Sequence, residues 1–118
     1  MNGQITALEK EQLESVALPI WKNIIEASRE QDYARFSRGF SDELRAKLSE
    51  EHFRISCQEI PLLTTIDASY EFIDSIKREK GITILWRLQS TRYAGDFLGI
   101  LTLQSSDSGM EITGVSVS

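Results

Sequence analysis

The sequence predicts an α+β fold in which N-terminal helices pack on one face of a curved antiparallel four-stranded meander. Apolar residues recur at steps of three and four up to about residue 60. Beyond Pro61 the period falls to two, and polar breaks carrying glycine divide the second half into about four strands. With 118 residues, 41% of them apolar and 26% charged, the chain has the composition of one globular domain spanning 1–118. It contains no internal repeat, proline-rich linker or low-complexity tract.

The first helix is signalled by Thr6-Ala7-Leu8-Glu9, which fits a capping box. Leu13, Ala17, Ile20, Trp21, Ile24 and Ile25 then form an amphipathic stripe. Pro19 lies inside it and is expected to kink or divide the helix, because it removes a backbone hydrogen bond. Asp32 caps a short helix over 33–38, with Tyr33 and Phe36 on one face and Gly39 as the stop. Ser41 caps a third helix over 42–48, where Asp42 and Glu43 favour the positive end of the dipole. Ser49 with Glu50 and Glu51 starts a fourth, which offers Phe53, Cys57 and Ile60 to the core and ends before Pro61.

In the second half Ile66, Ala68, Tyr70 and Phe72 alternate with polar residues and predict the first strand. The charged run 77–81 is a hairpin turn. Ile82, Ile84, Trp86 and Leu88 form the inward phase of the second strand. The turn at 93–96 leads to a third strand over 97–104, and the polar turn 105–109 leads to a fourth over 110–117. Alternation breaks at Gly114, which predicts a β-bulge.

Composition narrows the chemistry. Thirteen Lys and Arg against 18 Asp and Glu give a net charge of -5, so the chain lacks the basic field that phosphate backbones need, and nucleic acid is not an expected partner. A single cysteine, Cys57, and a single histidine, His52, argue against a thiolate zinc cluster or a His-pair metal site. These two residues are five apart on one helix, so their side chains diverge by about 140° and make a poor nucleophile-base pair. The first residues have no basic or apolar segment of a secretory signal, and no stretch reaches the ~18 apolar residues of a membrane span. The expected location is the cytoplasm, with no membrane contact, metal or cofactor.

The long first helix, Asp32-Tyr33-Ala34-Arg35-Phe36-Ser37, Phe40-Ser41-Asp42-Glu43-Leu44, the helix with Phe53, and a meander ending in Ile112-Thr113-Gly114-Val115 resemble the nuclear transport factor 2-like (cystatin-like) superfamily, with its cone-like fold. The chain looks most like a branch of small bacterial proteins with no assigned activity. The resemblance covers nearly the whole chain. It implies a cavity between the helices and the concave sheet, and frequent homodimerisation. It implies no one activity, because this fold hosts enzymes and non-enzymes alike.

Enzymes of that superfamily typically combine a cavity carboxylate or histidine with a tyrosine or a second acid. The carboxylates to weigh are Asp32, Glu59, Asp67, Asp74 and Asp96. Only Asp74 shares the phase of Tyr70, Phe72 and Ile76, which makes it the candidate catalytic residue, although a strand-end carboxylate in water is the simpler reading. The aromatic residues Trp21, Tyr33, Phe36, Phe53, Tyr70, Phe72 and Trp86 all fall on expected core faces, and these seven are the candidate lining of a small apolar pocket. Arg87, Arg92 and Tyr93 gather near one turn, read first as a solvated hairpin end and second as an anion-contacting rim. Apolar residues on the second face of the sheet predict a homodimer through Leu85, Ile100 and Leu101.

The expected function is that of a non-catalytic module binding a small apolar ligand or another protein. The alternative is a cavity enzyme of the isomerase, dehydratase or cyclase type using an inward carboxylate. An accessory structural domain is the third reading.

Overall fold

The first helix, α1 (Lys10–Glu30), starts at Glu9, in a computed structural model that describes residues 8–107 and 109–118. The Glu9 carboxylate accepts from the Gln12 backbone, and the Gln12 side chain accepts from the Glu9 N–H at 3.1 Å. The cap therefore involves Glu9 and Gln12, and Thr6 lies outside the described residues. The helix runs undivided through Pro19. An interior proline costs about 3 kcal/mol. Leu13, Ile24 and Ile25 on the same helix are buried, at about 1.5–3 kcal/mol each, so packing outweighs the missing bond. Gln31, in the left-handed region at φ 57, ends the helix.

The Asp32 carboxylate accepts from the Arg35 N–H at 3.3 Å and starts α2 (Tyr33–Phe36), which stops short of the expected 33–38. Arg35 holds α2 on α1: its guanidinium reaches Glu30 at 2.9 Å and Glu26 at 3.2 Å, and its carbonyl accepts from Asn23 at 2.7 Å. Ser41 and Ser49 cap α3 (Asp42–Lys47) and α4 (Glu50–Glu59), each hydroxyl accepting a backbone N–H at 3.2 Å. Phe53 and Cys57 are buried as expected. Ile60 is not; it is 47% exposed, because the chain has left helical geometry there (φ -122, ψ 86).

After a 3-10 turn at Pro61–Thr64 the chain forms β1 (Glu71–Lys77), β2 (Gly81–Gln89), β3 (Asp96–Ser106) and β4 (Gly109–Val117), a four-stranded antiparallel sheet in sequence order. The helices precede this meander, so the class is α+β. The first strand starts later than its alternation predicts: Ile66 makes only an isolated bridge to Ser90. Ile82, Ile84, Trp86 and Leu88 of β2, with Leu101 and Leu103 of β3, are fully buried against the helices.

Two bulges reshape the sheet. In β4, Leu103 pairs with Ile112 and Thr102 with Gly114, leaving Thr113 as the extra residue beside the glycine that predicts the irregularity. In β1, Phe72 pairs with Trp86 and Asp74 with Leu85, leaving Ile73 extra. That second bulge inverts the phase of β1, so Asp74 shares the outward face with Leu85. Leu101 is corrected as well: it lies opposite Ile84, is 0% exposed, and faces the helices. Leu85 and Ile100 pair with each other on the outward face, beside exposed Leu98 and Ile76.

Candidate functional site

An apolar cleft of about 240 Å³ opens between α1, α4 and the end of β4. Its walls come from Ile24 and Ile25 of α1, Phe36 of α2, Leu48, Phe53 of α4, and Val115 and Val117 of β4. The caps explain the wall formed by α2 and α4. Asp32 and Ser49 fix the starts of the two helices, which brings Phe36 and Phe53 together with ring centroids 4.4 Å apart. Tyr33 sits behind them at 5.7 Å from Phe53, and its hydroxyl donates to the Leu48 carbonyl at 2.6 Å. That bond occupies the phenol and ties α2 to the end of α3.

The polar groups on the cleft are Ser28, His52, Ser56 and Ser116. Ser28 is only 5% exposed, and its hydroxyl has no hydrogen-bond partner among the described residues. His52 is exposed on the rim beside Ile60 and Leu63. No carboxylate lies in the lining among the described residues. The cleft can therefore enclose an apolar molecule and offer it a hydroxyl or an imidazole, but it presents no acid-base carboxylate pair.

Of the seven aromatics expected to line a pocket, Phe36 and Phe53 do so. The others are placed elsewhere. Trp21 and Trp86 are 0% exposed and stack on each other at 5.5 Å, filling the space between α1 and the sheet. Phe72 packs edge-on to Trp86 at 5.6 Å, with Lys10 over its ring at 5.7 Å. Tyr70 borders a separate polar hollow with Glu71, Arg87, Gln89 and Asp96. Desolvation, then the charge of Glu26, pushes the Tyr70 hydroxyl above its ordinary range. Tyr33 stands behind the cleft wall.

Asp74, the candidate catalytic carboxylate, is exposed on the opposite face, and its oxygen accepts from the neighbouring Ser75 N–H at 2.8 Å. The phase inversion at Ile73 removes it from any inward site. Asp67 is likewise a turn residue: the Ser69 N–H and hydroxyl, both at 3.0 Å, hold its carboxyl below the usual range. Cys57 is buried, and desolvation raises its thiol. It is not on the cleft, whereas His52 is, so the two do not share a site. Arg87 lies between Glu71 at 3.3 Å and Asp96 at 3.9 Å, which leaves the basic group near the 93–96 turn partly neutralised. Arg92 stacks over Tyr93 at 5.4 Å. Among the described residues no three His, Cys, Asp or Glu side chains converge as metal ligands would.

Ile24, Ser28, Leu48, Leu63, Val115 and Val117 join the cleft without a distinguishing sequence signal. Ile24 reads as core in the α1 stripe, and the valines as an ordinary strand end. No known family model matches the chain, and no curated protein matches it.

Proposed function

We propose that this chain is a non-catalytic binding module of the nuclear transport factor 2-like type, acting as a homodimer, whose cleft takes a small apolar molecule. The observation that carries the reading is the lining: apolar walls from three helices and β4, with the Ser28 side chain on the cleft as a hydroxyl that has no hydrogen-bond partner among the described residues. The volume of about 240 Å³ is below the ~300 Å³ at which sites for drug-sized ligands begin, so the ligand is small. The order of helices and meander supports the family resemblance. The outward face of the sheet, with Leu85, Leu98, Ile100 and Ile76, supports association through that face. The enzyme alternative loses its carboxylate with Asp74.

Titration with phenylnaphthylamine, a neutral probe that fluoresces when desolvated, tests this reading. Saturable binding at one probe per chain is expected. Ile60→Asp on the exposed rim should weaken it about tenfold without lowering the unfolding midpoint, because Ile60 contributes little to the core. Non-saturable fluorescence, or Ile60→Asp binding as well as the unaltered chain, would contradict it.

A further inference from the structure

We propose that the free edge of β4 at Val115 and Val117 takes an extended peptide from another protein as a fifth strand, with apolar side chains of the peptide entering the cleft; this rests on the cleft being a binding site. The backbone phase is set by Leu98 and Ser118, which exchange hydrogen bonds at 2.8 and 2.9 Å. In an antiparallel ladder such pairs alternate with pairs whose N–H and C=O groups point away from the partner strand. Ser116, opposite Ile100, therefore faces β3, while Val115 and Val117 direct their backbone groups away from it. No hydrogen bond reaches those groups among the described residues.

The same edge already accepts an added segment farther along. The Ile112 N–H donates to the Gly39 carbonyl at 2.8 Å, and the Ser41 N–H donates to the Ile112 carbonyl at 2.9 Å, in parallel pairing. The 115–117 stretch continues that edge beyond the Thr113 bulge. The two edges of the sheet are also treated differently. β1 carries Glu71, Asp74 and Lys77 and a bulge, the features that discourage pairing. Val115-Ser116-Val117 has neither charge nor proline.

Edge and cleft adjoin, since Val115, Ser116 and Val117 line the same space as Phe36, Leu48 and Phe53. A strand added here would alternate its side chains between the cleft and the outward face. Charge outside the lining selects the occupant further: α4, whose His52, Phe53 and Ser56 face the cleft, also carries exposed Glu50, Glu51 and Glu59 against Arg54, which favours a peptide with basic flanks. A second copy fits this edge poorly. A second copy would bring the same acidic α4 and the same net charge of -5 against this wall.

The test uses a pool of acetylated, amidated heptapeptides with Lys at both ends, Val, Leu, Ile or Phe at alternate inner positions, and Thr between them. Saturable binding is expected, with amide hydrogen exchange at Val115 and Val117 slowed about tenfold. N-methylation of the peptide amides that face the edge should weaken binding about tenfold. Val117→Pro removes an N–H that points away from β3, so it should weaken the peptide similarly. If that variant does not fold, the N-methylated peptides on the unaltered chain decide the matter. The proposal is overturned if no peptide binds at millimolar concentration, if N-methylation has no effect, or if the two amides become protected with protein concentration alone, which would assign the edge to a second copy. Probe binding without peptide binding would sink this proposal and leave the cleft reading standing; failure of both would remove both.

Discussion

Trp21 of α1 and Trp86 of β2 stack with ring centroids 5.5 Å apart and planes within 2°. Both indole N–H groups are buried without a partner among the described residues, at a cost of about 1–3 kcal/mol each. Burying 150–250 Å² of each ring returns roughly 4–6 kcal/mol, so the pair remains a net source of stability. Its position depends on Gly99, which lies across the ladder from Trp86. A Cβ there would stand 2.4 Å from the Trp21 ring.

Gly99→Ala is therefore expected to destabilise the chain by about 1–3 kcal/mol, the usual range for an overpacked core. Urea unfolding measures the loss, and near-ultraviolet circular dichroism should show the stacked indole signal change. An unaltered midpoint would mean that the two tryptophans do not approach β3 as described.

Stability should fall in alkali. Cys57 and Tyr70 have pKa values raised above their ordinary 9.0 and 10.0. Each ionises first in the unfolded chain, so the unfolded state gains as pH rises beyond those values. Unfolding free energy should decline from about pH 9 upward, and Cys57→Ala should delay the decline towards pH 10. The acid limb has the opposite sign. Asp67 titrates below its ordinary 3.8 and contributes stability above that value, lost as pH falls through the folded pKa. Equal slopes for Cys57→Ala and the unaltered chain between pH 9 and 10 would contradict this assignment.

Association through the outward face of the sheet should respond to Leu98→Glu. Leu98 is 37% exposed and lies opposite Arg87, so the substitution spares the core. Sedimentation should give a dimer for the unaltered chain at micromolar concentration and a monomer for the variant. A monomer in both cases would remove the dimer from the account.

The helix starts at Asp32, Ser41 and Ser49 were legible in sequence because a cap is a local device: one side-chain oxygen and an N–H three residues on. Strand phase was less legible. Ile73 is the extra residue of a bulge, but Glu71-Phe72-Ile73-Asp74 contains no glycine or proline to announce it, so simple alternation placed Asp74 inward. Leu101 was assigned to the wrong face because 97–103 is apolar throughout, and only its pairing with Ile84 decides which way it points. The cleft was legible in Phe36 and Phe53 alone. Its other walls meet through contacts between α1, α4 and β4, which are distant in sequence and leave no local pattern. Trp21 and Trp86 looked like pocket aromatics, but with Gly99 they fill the interior instead.

Nuclear magnetic resonance with saturating phenylnaphthylamine tests the cleft most directly. Intermolecular Overhauser effects from the probe to Phe53, Val115 and Leu48 are expected, with none to Trp21 or Trp86. Effects confined to the outward residues Leu85, Leu98 and Ile100 would place the ligand on the sheet face and contradict the account.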